Sequence, residues 1–415
     1  MRRAEPHPSG PDLAGLESDI PPPWLTENAV TELVDGARLP FDAGEYAARL
    51  ARVRERMANR GLDAMLVFRP SSVEYLCGYH TAERLPQPLL VTESDVVLYV
   101  PDFEVGRALV SSRAPTVRHF RYASAHGALR LVTAHVSRLL PRRARIAVEL
   151  TPPVTPPQVP DMLRHDDLAV VDGDFLVERV RLVLSEAEVR CVARAAIATQ
   201  RGVEAAVEAA REPAATDASL AAAISAALLR DSNSASAWGP TVATGSRAGI
   251  PHSTVGHVPL SSDSTFVEFS GAHHRYHAPV MRTLYHSRPS SSIERLAELA
   301  TTALAAVIDT ARAGVTCSEV AQRAASAIGP LPNDVVFHGL FGYPVGLAHP
   351  PHWMDGAPFA ITVDNPEPLA EGMVFHVPAS FRKFGEAGVG LSQTFVVEST
   401  GARVLTHGAA EPLVM

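Results

Sequence analysis

The chain has 415 residues, 46% hydrophobic and 20% charged, which is enough for two domains each with its own core. Its 37 Lys and Arg against 45 Asp and Glu give a net charge of −8 with no basic stripe and no acidic tail, arguing against nucleic acid and against a charge-driven partner. Cys77, Cys191 and Cys317 are scattered, with no C-x-x-C pair, so neither a disulfide framework nor a Cys-rich zinc site is expected and a reducing compartment fits.

Residues 1–40 are rich in Pro and Gly, with Pro21-Pro22-Pro23 ahead of Trp24, and read as a loose arm that Trp24 pins to the body. The Met-Arg-Arg start lacks the apolar stretch of a signal peptide, and no apolar run approaches the ~18 residues that span a bilayer, so a cytoplasmic protein is expected. From Asp42, the spacing of Tyr46, Leu50, Val53 and Met57 predicts an amphipathic helix ending before Gly61. Leu62–Phe68 reads as a short buried strand and Arg69–Ser72 as a turn. Strands follow at Leu89–Thr92 and Val96–Val100, helices at Phe103–Ser111 and Ala128–Leu140, and strands at Ile146–Leu150 and Leu168–Val171. This alternation predicts a small α/β domain with an enclosed sheet over residues 41–176.

The composition then shifts. Glu178–Glu212 and Asp217–Arg230 are Ala-rich and strongly helix-forming, parted at Pro213, and Ser185 with Glu188 has the spacing of a capping box. Strands are expected at Gly239–Thr244, Thr265–Phe269 and Met281–His286. A second Ala-rich helical pair follows at Ile293–Ala313 and Cys317–Ile328, then strands at Met373–Val377, Thr394–Glu398 and Val404–Thr406. Helices followed by strands, twice over, predict an α+β domain of two similar halves over residues 177–415.

Chemistry concentrates in Glu268 to Thr283. A strand-like run crosses an expected tight turn at Gly271 into His273, His274, Arg275, Tyr276 and His277, and ends at Arg282-Thr283. Adjacent His273 and His274 would face opposite sides of a strand, so only one could enter a pocket; His277 is favoured over His273. Glu268, following an apolar strand, should be partly buried, which raises a carboxyl into the range where it takes or gives a proton. The structural alternative is a glutamate held by Arg282 or Arg275. Arg282 itself reads as structural. No P-loop, G-x-S-x-G elbow or Rossmann fingerprint is present, and Gly245–Gly249 is too short for a phosphate cradle.

Several patterns in order carry a resemblance: Tyr75-Leu76-Cys77-Gly78-Tyr79, Leu182–Glu188, the loop Gly245–His252, Glu268–Thr283, Gly342–Leu347 and Met373–Pro378. Together they resemble the creatinase/aminopeptidase P family over roughly residues 42–410. The resemblance implies an α/β creatinase-like N-terminal domain and an α+β pita-bread catalytic domain with pseudo-twofold halves. Metallopeptidases of this family hold two metal ions with two Asp, one His and two Glu, because paired divalent ions need oxygen-rich ligation. Those positions fall here on Glu268, Pro279, Tyr343, Pro378 and Ser392. One carboxylate remains, so no dinuclear metal and no cofactor is expected. A single ion on some of His252, His273, His274, His277 and His376 stays as the alternative.

The metal-free branch looks closer, and ectoine hydrolases most of all, through Arg275-Tyr276-His277-Ala278-Pro279, the aromatic at Tyr343, Pro350-Pro351-His352-Trp353 and Phe375-His376. The chain departs from them at His352, Met354-Asp355 and Gln393, where those enzymes carry a different set of acids. On this resemblance His252, Glu268 and His277 are the catalytic candidates. Tyr276, Tyr343, His349, His352, Trp353, Asp355, His376 and Gln393 are the substrate-binding ones, Trp353 offering a flat face to a cation or planar ring. Tyr79 and His80 would cap the partner subunit's pocket in a homodimer. The expected function is metal-independent hydrolysis of a C–N bond in a small polar organic substrate, a cyclic amidine or amide. A cyclase, dehydratase or lyase of specialised metabolism and a catalytically silent binding protein are the alternatives.

Overall fold

The structure, a computed structural model, describes residues 10–17, 22–151, 154–261, 263–408 and 412–415. Backbone packing divides the chain into two units, Met1–Val180 and Arg181–Met415.

In the first unit seven strands form one sheet: β1 (Asp12–Gly15), β2 (Ala64–Val67), β3 (Leu89–Thr92), β4 (Val96–Pro101), β5 (Thr116–Phe120), β6 (Arg145–Val148) and β7 (Ala169–Asp172), in the order β1-β5-β4-β3-β2-β6-β7. The helices are α1 (Glu27–Asp35), α2 (Ala43–Asn59), α3 (Pro70–Cys77), α4 (Val105–Ser111), α5 (Ala125–Leu139) and α6 (Val159–His165). Leu66, Leu90, Tyr99 and Ile146 of the sheet pack with Val132 and Val136 of α5 and Val159 and Leu163 of α6, all nearly solvent-free. Each such aliphatic side chain contributes about 1.5–3 kcal/mol by leaving water.

Three expectations are corrected here. The described part of the arm is not loose: β1 adds to the sheet edge in parallel with β5, and α1 is capped by the Thr26 hydroxyl. Residues 1–9 and 18–21, including Pro21, lie outside the described residues. Trp24 is 47% exposed and lines a shallow cleft with Asp102, Phe103 and Tyr122. Arg69–Ser72 opens α3 rather than turning, because Pro70 sits at the helix start, where a missing N–H removes no hydrogen bond.

The second unit begins at the end of a short helix, α7 (Leu176–Arg181). The expected helix over 178–212 breaks after it: Val183 bridges to Met373, and Ser185 with Glu188 closes a capping box that starts α8 (Glu186–Ala210). Thr216 with Ser219 does the same for α9 (Asp217–Asp231). Strands β8 (Thr241–Thr244), β9 (Ser264–His273) and β10 (Tyr276–Tyr285) then form an antiparallel sheet. The second half repeats the plan with α10 (Ser291–Thr310), α11 (Cys317–Ile328), β11 (Tyr343–Pro344), β12 (Val374–Lys383), β13 (Ala387–Val397) and β14 (Ala402–Val404). A last strand, β15 (Leu413–Val414), pairs in parallel with β10.

The halves are joined where β10 meets β13. The Met281 N–H donates to Ser392 Oγ at 2.5 Å, Arg282 to the Ser392 carbonyl at 2.7 Å, and Gly390 N–H to Thr283 Oγ1 at 3.0 Å. These bonds satisfy buried backbone groups that neither four-stranded sheet could satisfy alone. Gly271 is not the turn. It lies inside β9 opposite Ala278, and α8 passes so close that a Cβ there would stand 2.3 Å from the Ala195 carbonyl oxygen. The turn falls at His274 and Arg275, both with positive φ. Among the described residues no helix is long and apolar enough to cross a membrane.

Candidate active site

Neighbouring strands bring the five positions named from sequence to one place. Glu268 of β9 pairs with Met281, whose N–H meets Ser392 of β13; Ser392 pairs with Pro378 of β12; and Tyr343 of β11 pairs with His376 of β12. His376 Nδ1 donates to the Pro279 carbonyl of β10 at 3.0 Å, and Thr394 Oγ1 donates to the same oxygen at 2.9 Å. The donor set does not fit a pair of divalent ions. Glu268 is the one carboxylate, Ser392 Oγ and the Pro279 carbonyl are already engaged, and the two prolines have no side-chain ligand atom. Among the described residues no group of three or more His, Cys, Asp or Glu is arranged to hold a metal ion.

Glu268 is 5% exposed, and burial pushes its carboxyl up to about 7, with the positive charge of Arg382 pulling the other way. Tyr343 lies near enough for the Glu268 charge to help burial raise its phenol well above the usual range, so its hydroxyl keeps its proton. That hydroxyl accepts the Trp353 indole N–H at 2.9 Å, an arrangement that leaves its own proton to donate. The ring of Tyr343 leans on His376 with centroids 5.2 Å apart. Because Nδ1 of His376 donates to a carbonyl, its Nε2 carries the lone pair, and that buried atom has no hydrogen-bond partner among the described residues. Burial holds this imidazole neutral, at about 3.

An aromatic cluster adjoins these groups. Trp238, on the loop between α9 and β8, packs its ring 4.6 Å from His352, 5.2 Å from Trp353 and 5.5 Å from His252. His352 is lowered to about 4 by burial and by the neighbouring His252. His252 itself is exposed, with φ 57°, on a loop fixed from the other side: both Asp217 oxygens accept from the backbone of Gly256 and Val258, and Arg247 pairs with Asp217 at 2.6 Å.

The remaining sequence candidates fall elsewhere or into other roles. His277 is completely buried, and its Nε2 accepts the Ala237 N–H at 2.9 Å, so it anchors a loop and its catalytic assignment is corrected. Tyr276 is turned to the opposite face, where its hydroxyl donates to Glu188 at 2.6 Å, because neighbours on a strand alternate sides. Gln393, for the same reason, faces away from Ser392 and bonds Thr406 and the Gly408 carbonyl. His349 and Asp355 meet each other through the His349 N–H at 3.4 Å, within the loop that carries Trp353. In the first unit Tyr79 is turned inward onto Gln87 and Glu104, and His80 is the more open of the two. His274 sits at the half-buried turn beside Asn233. Arg282 ties backbone carbonyls of Met281, Ser392 and His407, the structural role expected of it.

Two residues escaped the sequence reading. Arg382, beside Glu268, lies over the Phe266 ring at 4.6 Å. Trp238 carried one usable signal: it is one of only three tryptophans, set before Gly239-Pro240, and two of the three meet in this cluster.

Comparison with known proteins agrees with this architecture. Residues 190–399 match the family described as Metallopeptidase family M24, and residues 49–183 match the Creatinase/Prolidase N-terminal domain. An uncharacterized hydrolase/peptidase, y4tM, of Sinorhizobium fredii is 28% identical over 396 residues, covering 91% of this chain and 99% of that protein. The ectoine hydrolase of Halomonas elongata is 24% identical over 392 residues, covering 88% and 96%. Among solved structures, dipeptidase PepE from Mycobacterium ulcerans has a TM-score of 0.77 at 23% identity, covering 90% of this chain and 99% of that one; at this identity the likeness shows the fold.

Proposed function

The chain belongs to metallopeptidase family M24, and within that hydrolase family we propose that it is a metal-independent hydrolase of a C–N bond in a small cyclic amidine or amide. The observation that carries this reading is Glu268: a buried carboxyl raised to about 7, beside a hydroxyl donor, where the other metal-ligand positions offer no carboxylate. A group poised near neutrality can take a proton at the pH where the reaction runs. Glu268 takes a proton from water as its oxygen attacks the amidine or amide carbon. The Tyr343 hydroxyl donates to the charge that develops at that carbon's heteroatom. The C–N bond then breaks, and the leaving nitrogen receives a proton from His252, which recovers one from Glu268 through solvent. One water is consumed, giving an acyl product and an amine. The likeness to an ectoine hydrolase supports a ring substrate.

The test is incubation of the purified protein with ectoine, following N-acetyl-diaminobutyrate. Turnover is expected, with the rising limb of kcat/KM falling near pH 7 as Glu268 ionises, and E268Q should lower it roughly 10²–10⁴-fold without unfolding the protein. A fully folded protein with no turnover would sink the reading. One observation favours a silent binding protein instead: the Trp238 ring packs against both His252 and His352. Binding of ectoine with no product would select that alternative.

A further inference from the structure

We propose that Trp238 is the specificity-determining residue of this site, admitting a small flat ring and excluding an extended dipeptide, and that His277 is the positioning residue that holds it there. The inference rests on the small-ring reading above and adds two roles to it.

The loop 232–240 is composed of Ser, Asn, Ala, Trp, Gly and Pro, with little apolar side chain to fix it. Its position comes from the hairpin. A two-residue turn with positive φ at both His274 and Arg275 aims both N–H groups outward, where they need acceptors. Asn233 Oδ1 accepts the first at 2.6 Å and Ser234 Oγ the second at 2.9 Å. The third stitch is His277. A bare imidazole nitrogen, completely enclosed, receives the Ala237 N–H, and the residue that follows is Trp238. With its backbone fixed one residue away, the indole has little freedom. It closes against three rings from two further segments, His252 on one and His352 and Trp353 on the other, and Trp353 in turn holds the Tyr343 hydroxyl. The Trp238, His252 and His352 rings keep exposed surface, and their flat faces suit stacking of a small planar heterocycle. A peptide would need the room that the indole occupies. His277 and the His274 backbone therefore act at a distance from the chemistry, by placing a wall.

The test is calorimetric titration of the full-length protein with ectoine, as the small ring, and with glycyl-proline, as the extended dipeptide. Wild type and W238F should bind ectoine and show no binding of the dipeptide. W238A should bind ectoine at least roughly tenfold more weakly and acquire measurable dipeptide binding. H277L should reproduce W238A with the indole still present, and H277Q, whose side-chain carbonyl can accept the Ala237 N–H, should restore the wild-type pattern. Unchanged discrimination in W238A overturns the proposal, as does wild type that binds both ligands alike or neither. Should H277L not fold, the Trp238 pair decides. Ectoine bound with the expected discrimination but never hydrolysed sinks the hydrolase reading and leaves this one standing. Ectoine hydrolysed with equal discrimination in W238A does the reverse.

Discussion

Glu268 holds a charge its surroundings oppose. Burial lifts it from 4.5 to about 7, and Arg382 offsets only part of that. A carboxyl raised in the folded state binds its proton more tightly there than in the unfolded chain. Its contribution is therefore full below pH 4.5, declines as pH rises through about 7, and stays low above. E268Q keeps the shape and removes the charge. It should match wild type in urea unfolding at pH 4.5 and exceed it by about 1–3 kcal/mol at pH 8, while losing turnover. Equal stability of the two proteins at pH 8 would mean that the ionised carboxylate is well solvated and a poor acid/base candidate. The residue type and the apolar run before it made Glu268 readable from sequence. His277 misled for a physical reason: a histidine in a strand beside a carboxylate looks the same whether its nitrogen meets a substrate or a backbone N–H from a distant loop.

Among the elements, the β9–β10 hairpin shows how a correct assignment can hide a wrong cause. Both strands were expected, yet Gly271 was assigned to the turn. A turn glycine is needed for its backbone angle, and Asn can replace it. In β9 the need is room, because α8 lies against the strand and a Cβ would stand 2.3 Å from the Ala195 carbonyl oxygen. G271A and G271N should both destabilise, by at least about 1–3 kcal/mol in chemical denaturation. A wild-type midpoint for G271N would restore the turn interpretation. The long helix expected over 178–212 failed similarly. Its propensity is uniform, but Val183 has a bridge partner in Met373, nearly 200 residues away, and tertiary pairing outweighs propensity there. The Ser185 cap, a local feature, was read correctly.

At the scale of the molecule, two sheets of similar plan meet along β10 and β13, and the positions where relatives of this fold would gather ligands come together at that seam. Elemental analysis of the purified protein should find well under one divalent ion per chain, and chelation should leave ectoine turnover unchanged. A stoichiometric ion whose removal abolishes activity would overturn metal independence. The sequence by itself determined the two-domain order, the paired halves, the Ser185 cap and the single surviving carboxylate, because a helix cap, hydrophobic period and ligand identity are local properties of the chain. Only the tertiary structure decided which face each strand residue takes, that Tyr276 and Gln393 turn away, that His277 holds a loop, and that Trp238 covers the cluster. The last two outcomes depend on contacts between segments 40 and more than 100 residues apart, Ala237 with His277 and Trp238 with Trp353, whose pairing no local pattern encodes.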